Sequence, residues 1–225
     1  MPRREERAEE IAVYEQGQIK EKRTYLNGKL DGEYTSYYMN GQIMVKLLFQ
    51  QGLRQGEAVS YYRDGQIREK GFFVKDKLHG QYKSYFENGQ IREDEHYLNG
   101  KLDGEYILYF RNGRIKNKET FKNGKFHGEY ISYYKTGQIK EKGSFEDDKR
   151  NGEYIAYERN GRIKEQAVYG RGKLKGPFKK YAENDRPSAD IFDQNEMESL
   201  YYDSDDIDKK VYDDILKNLK DLDGI

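Results

Sequence analysis

Polar and apolar positions along this chain follow a ruler of 24 residues. A glycine opens a Gly-Gln-Ile or Gly-Arg-Ile triplet at Gly17, Gly41, Gly65, Gly89, Gly113, Gly137 and Gly161, each 24 residues after the last. A second series, Gly32, Gly56, Gly80, Gly104, Gly128, Gly152 and Gly176, keeps the same step. Self-similarity at such a period marks a repeat array. Seven steps span 17–184 without insertion or deletion; residues 1–16 read as an N-terminal partial repeat or cap, and 185–225 fall outside the pattern.

Each step reads as two strands and two turns. Asn40–Gly41, Asp64–Gly65, Asn88–Gly89, Asn112–Gly113 and Asn160–Gly161 are dipeptides that supply positive φ at both centres of a two-residue hairpin turn. The other connection, as in 27–32, is longer, with Asp76 and Asp148 standing where the other units keep its first glycine, a left-handed position that Asp tolerates. The pattern predicts an all-β repeat. It is an elongated, twisted antiparallel β-meander of about seven 24-residue hairpin units. About fourteen short strands at ~4.8 Å each would extend roughly 65–70 Å.

With a two-residue turn at Asn40–Gly41, Tyr38 faces Ile43, Tyr37 faces Met44, Ser36 faces Val45 and Tyr34 faces Leu47. Strand parity then sorts whole columns onto faces. One face takes the isoleucines (Ile19, Ile43 and their repeats), the strand-end aromatics (Tyr25, Phe49, Phe73, Tyr97, Phe121, Phe145, Tyr169) and the Tyr34 and Tyr38 columns. The other carries Tyr37, Tyr61, Tyr85, Tyr109, Tyr133, Tyr157 and Tyr181 beside a basic column (Lys20, Arg68, Arg92, Lys116, Lys140, Lys164) and a second one (Lys22, Lys46, Lys70, Lys118, Lys142). Tyrosine beside ammonium and guanidinium groups favours cation–π contacts. This face is either a solvated ridge, neutralised by the Glu33, Glu57, Glu105, Glu129 and Glu153 column, or a binding surface. On the second reading the partner-binding residues are Tyr37, Tyr61, Tyr85, Tyr109, Tyr133 and Tyr157 with Arg68, Arg92, Lys116 and Lys140. A register-shifting bulge would change which columns share a face.

Composition explains why the columns matter. With 35% hydrophobic and 36% charged residues and a mean hydropathy of −1.17, the chain is too polar for an ordinary core. Its 22 Tyr and 10 Phe must supply the ordering surface. No apolar run approaches the ~20 residues of a membrane span, and no signal peptide is visible at the start. The absence of cysteine removes disulfides and thiolate chemistry and fits a cytoplasmic location.

The net charge of zero is an average of two unlike parts. Residues 185–225 hold 13 Asp and Glu against 5 Lys and Arg, net −8, which leaves 28 against 36, net +8, in residues 1–184. Within the acidic tail an amphipathic helix is expected over about 204–223, with Ser204 as its cap and Ile207, Val211, Ile215, Leu219 and Leu222 on one side. It reads either as a cap for the last strand or as a binding arm.

The segments Asn-Gly-Lys-Leu-Asp-Gly-Glu-Tyr at 27–34 and 99–106, and Asn-Gly-Lys-Phe-His-Gly-Glu-Tyr at 123–130, resemble the MORN repeat in its bacterial variant form. The likeness covers about 17–184, with Arg54, Arg150 and Pro177 as departures. It implies a non-catalytic array of β-hairpins that scaffolds proteins or lies against membranes. The bacterial variant group includes antitoxins and immunity proteins that bind a partner toxin.

No residue set points to a catalytic centre, a cofactor or a metal. His79 and His127 occupy one loop column two units apart, about 20 Å, too far to share an ion, and His96 lies in a strand. Ser36, Ser60, Ser84 and Ser132 form a repeated column rather than an activated nucleophile, and Glu93, Asp94 and Glu95 read as a solvated acidic spot. The expected partner is a protein, a toxin in the immunity reading, with anionic phospholipid as the alternative. A homodimer through the open end strands is a further possibility, and the neutral total with its acidic tail argues against nucleic acid.

Overall fold

The computed structural model describes residues 5–182. The chain divides into two compact units, Met1–Asp193 and Gln194–Ile225. The second lies outside the described residues, and so does the helix expected over 204–223.

Among the described residues there is no helix. Nineteen strands, from Arg7–Val13 to Lys179–Lys180, form one antiparallel sheet in which neighbours in sequence are neighbours in space. Nineteen exceeds the expected fourteen chiefly because the second glycine series cuts some runs in two. Leu53–Arg54 and Gly56–Tyr61 are one such pair, and Lys149–Arg150 and Gly152–Tyr157 another.

The two kinds of turn exchange the roles expected of them. At Asn40–Gly41 only the glycine has positive φ (82°); Gly41 N–H donates to the Tyr38 carbonyl and Tyr38 N–H to the Gln42 carbonyl. This is a three-residue loop closed by a left-handed glycine, not the two-residue turn. Asparagine is chosen there for its side chain: Asn40, Asn112 and Asn160 each accept the amide two residues on, at 3.0–3.2 Å. The tight two-residue turns are the other connections. Asn27 and Gly28 have φ of 51° and 78°, between the paired Leu26 and Lys29. Asp76 and Asp148, at 65° and 66°, do adopt the left-handed conformation.

The longer loop forces a bulge. Tyr37 pairs with Ile43, not Met44, and the register shifts between Ser36 and Tyr37. The same shift recurs at Tyr61↔Ile67, Tyr85↔Ile91, Tyr109↔Ile115, Tyr133↔Ile139 and Tyr157↔Ile163. The pairings Tyr38–Ile43 and Tyr37–Met44 are thereby corrected, while Ser36–Val45 and Tyr34–Leu47 stand. A second irregularity falls at the other glycine series. Gly32, Gly104 and Gly128 have φ of 110–122°, and a Cβ there would meet Thr24, His96 or Thr120 at 3.1–3.2 Å.

Between these irregularities one face carries the aromatics. Tyr34 meets Phe49 edge-on at 6.1 Å, and Tyr82–Tyr97, Tyr106–Phe121, Tyr130–Phe145 and Tyr154–Tyr169 repeat the contact at 5.9–6.3 Å. Where Arg54 and Arg150 depart from the repeat, their guanidinium groups lie over Phe73 at 4.6 Å and Tyr154 at 4.3 Å. They replace an apolar side chain by a cation that stacks on the same rings.

Hydrogen bonds lace both edges of the sheet. At the tight-turn edge they are backbone bonds, such as Gly52 N–H to the Leu30 carbonyl and Gly100 N–H to the Leu78 carbonyl. At the opposite edge a tyrosine hydroxyl reaches the next turn: Tyr14 to the Tyr37 carbonyl, Tyr38 to Tyr61, Tyr62 to Tyr85 and Tyr134 to Tyr157, at 2.6–2.8 Å. Tyr62→Phe is expected to lower stability to urea by about 1 kcal/mol. Tyr85→Phe, whose hydroxyl makes no hydrogen bond among the described residues, should stay within about 0.5 kcal/mol of the parent. Equal losses would show that the latch contributes nothing.

Candidate interaction surface

The bulge decides what lies beside what. Met44 is the extra residue, so its column (Arg68, Arg92, Lys116, Lys140) leaves the face of the Tyr37 column and joins the aromatic face. Arg92 donates to Ser84 Oγ and to Glu93, both at 3.2 Å. It feels the Tyr82 and Tyr62 rings rather than Tyr85, and its pKa is raised, burial working against the charges of Glu93, Tyr82, Tyr62 and Glu69. Arg68 pairs with Glu69 at 3.3 Å, and the Lys116 ammonium lies 5.9 Å from the Phe110 ring. Lys140 holds the same bulge position and is exposed. The structure therefore does not bring Arg68, Arg92, Lys116 and Lys140 to Tyr37, Tyr61, Tyr85, Tyr109, Tyr133 and Tyr157. Cation–π contacts fall on other rings too: Arg63 over Tyr38, Arg111 over Phe86 and Arg159 over Tyr134, at 5.6–5.9 Å.

The Tyr37 column keeps the second basic column as its neighbour. Tyr109 has its phenol raised by burial first and then by Asp94, with Lys83, Glu105 and Lys118 also in range. Three of these lysines are not free cations. Lys46 pairs with Glu33 at 3.3 Å, Lys70 with Glu57 at 3.1 Å and Lys118 with Glu105 at 2.6 Å. In the hairpin between them the order of charges reverses, Lys83 pairing with Asp94 at 3.2 Å. The Tyr37 column thus faces a ladder of compensated charge rather than a basic ridge.

Three apolar side chains break the polar run of one column on this face. The column that holds Thr24, His96, Thr120 and Ser144 has Leu48 and Phe72 in two adjacent units, 42% and 44% exposed, and Val168 at its far end, 47% exposed. That departure from the column's polar residues is visible in the sequence, but parity alone did not mark it. Further along, a shallow groove of about 210 Å³ is lined by Glu129, Ile131, Lys142, Ser144, Glu153 and Ile155. It is smaller than the roughly 300–1,000 Å³ of pockets that enclose drug-sized ligands.

On the aromatic face the expected acidic spot takes a different form. Asp94 pairs with Lys83, Glu93 accepts from Ser84 at 2.6 Å, and Glu95 is only 3% exposed. Burial pushes the Glu95 carboxyl up to about 7 despite a hydrogen bond from Tyr97. The correction has a simple cause: Glu93 and Glu95 point to the covered face of the strand and only Asp94 points outward.

Because exposed ion pairs contribute about 0–1 kcal/mol each, the variant Glu33→Gln/Glu57→Gln/Glu105→Gln should stay folded. It should bind a cation exchanger more strongly than the control Glu5→Gln/Glu6→Gln/Glu9→Gln, which loses the same formal charge. Equal elution of the two would contradict a charge-compensated face.

A family model described as MORN repeat variant matches five stretches, 30–51, 54–75, 78–99, 102–123 and 126–147. No curated protein matches the chain. The matched stretches include the aromatic pairs from Tyr34–Phe49 to Tyr130–Phe145, the three-residue turns, and Leu48 and Phe72, and they break at the tight two-residue turns. MORN repeats are generally protein- or membrane-binding modules and not enzymes. Between residues 30 and 147 the chain thus carries five consecutive repeats of the MORN repeat variant type.

Proposed function

We propose that the chain is a non-catalytic protein-binding scaffold. Its contact surface is the face bearing Tyr37, Tyr61 and Tyr85 with Leu48 and Phe72, and its partner is a toxin that it blocks, as an immunity protein does. The supporting observation is the compensated charge of this face. A surface on which Lys46, Lys70 and Lys118 are held by glutamates and Lys83 by Asp94 offers little to a polyanion. Its rigidly mounted tyrosines and two exposed apolar anchors suit a protein, since tyrosine is enriched at energetic centres of protein interfaces. Strands fixed at both edges present these side chains with little ordering cost on binding. The immunity role rests on the resemblance to the bacterial variant group.

A second reading, binding to anionic phospholipid, is favoured by a different edge. Arg111, Arg114, Arg159 and Arg162 are exposed on the three-residue turns of 110–115 and 158–163, and none makes an ion pair among the described residues. Basic groups near an anionic leaflet contribute roughly 1 kcal/mol each before screening.

Immobilised full-length chain should retain a protein from the cells it comes from. The Leu48→Asp/Phe72→Asp variant should lose that protein by ten-fold or more, the loss of about 1.4 kcal/mol or more expected at an interface centre. Expression of the retained protein alone should arrest growth, and co-expression of the chain should relieve it. Retention undiminished in the variant would remove this face as the surface, and a harmless partner would remove the immunity role. Flotation with anionic vesicles, abolished by Arg111→Glu/Arg159→Glu, would favour the second reading instead.

A further inference from the structure

Two independent columns change together in the adjacent hairpins 79–98 and 103–122. The first is the tyrosine latch. Tyrosine stands at 14, 38, 62 and 134, but phenylalanine stands at Phe86 and Phe110, which have no hydroxyl to offer the carbonyls of Tyr109 and Tyr133. The second lies on the covered face, in the column Arg23, Leu47, Gly71, Glu95, Glu119, Gly143 and Ala167. Only these two hairpins place a carboxyl there, and both carboxyls are buried, at 3% and 7% exposure.

Neither carboxyl has a cation of its own. Glu95 lies between Tyr82 on one neighbouring strand and Tyr106 on the other. Tyr97 bonds it from its own strand, Arg92 is engaged with Glu93 and Ser84, and Glu69 with its Arg68 lies beyond Tyr82. The Glu95 Oε2 atom is buried without a hydrogen-bond partner. Glu119 accepts from Asn117, at 3.2 Å, and lies between Tyr106 and Tyr130, the latter giving its hydroxyl to Glu141. An ionised carboxylate in such a place is strongly disfavoured unless it is paired.

What holds these hairpins at the two edges is unequal. On the tight-turn edge the backbone bonds continue, Gly100 N–H to the Leu78 carbonyl and Gly124 N–H to the Leu102 carbonyl. On the other edge Asn88 donates to the Arg111 carbonyl and Arg114 to the Thr136 carbonyl, both from side chains on the surface. The geometry points to a built-in seam: the three-residue-turn edge between 86 and 134 opens when Glu95 and Glu119 ionise, pivoting on the backbone bonds of the opposite edge. The hairpins before it keep their latches and stay closed. Stability in a repeat array is a sum over neighbouring units, so a weak junction opens locally without unfolding the rest.

The sign follows from burial. A carboxyl whose folded pKa lies above its unfolded value binds its proton more tightly in the closed state. The seam is therefore most stable below the unfolded value, near 4.5, and loosens as pH rises through about 7. Hydrogen exchange of the full chain, expressed as protection factors to remove the intrinsic pH effect, reads this directly. Between about pH 5 and about pH 8, protection in 106–119 should fall roughly ten-fold more than in 34–61. Glu95→Gln/Glu119→Gln should abolish that difference, and Phe86→Tyr/Phe110→Tyr, which adds only two hydroxyls, should raise protection at both pH values. Uniform protection in both segments at both pH values would overturn the proposal, as would a pH dependence that survives in the glutamine variant.

Discussion

Among the described residues no second layer covers the sheet, and its aromatic residues cover one another. Each ring is shielded by a ring on the adjacent strand, so the fold depends on every strand keeping its register with the next. Tyr34 against Phe49 and Tyr154 against Tyr169 are the same contact made five units apart. Because the rings meet edge-on, the contact tolerates Tyr for Phe and even admits the guanidinium of Arg150 as a lid. A chain with 36% charged residues can fold this way because few side chains per unit need to leave water.

Register is set at the edges, by turn geometry rather than by hydrophobic pattern. The three-residue loop adds one residue to one strand of each pair, and that single residue moves a basic column from one face to the other. Arg92 thereby becomes part of a polar network beneath the rings, while Lys46, Lys70 and Lys118 remain outside and are neutralised across the strand. One face becomes a thin core that tolerates a few buried carboxyls. The other becomes a charge-balanced ladder with tyrosines along one margin. The family's general role in binding proteins or membranes is consistent with either the ladder or the arginine-bearing turns as the contact.

Much of this architecture was legible in advance because it rests on short-range chemistry. Glycines at a constant step, Asp76 and Asp148 in glycine's place, and alternating Tyr and polar residues between them all act within a few positions of one another. The candidate surface was legible only in part. Tyr37, Tyr61 and the rest of their column lie on one face as parity requires, but Arg68, Arg92, Lys116 and Lys140 would share that face only across a two-residue turn without a bulge, and the turn holds three residues. The burial of Glu95 is hidden in the sequence for a related reason: its sequence neighbours are charged, whereas its neighbours in space are Tyr82 and Tyr106.

The amino-acid sequence by itself determined the period, the strands, the positions of the turns and the placement of an aromatic column in every unit. These follow from backbone preferences of Gly, Asn and Asp and from the two-residue period of a strand, which need no knowledge of distant parts. Only the tertiary structure decided which columns share a face, which lysines are paired and which carboxyls are buried. A one-residue bulge reverses side-chain direction, and whether a turn adds that residue is settled by hydrogen bonds formed when the strands meet. For the same reason Leu48 and Phe72 acquired meaning only in space, as two apolar side chains in adjacent units left uncovered where the ladder faces water.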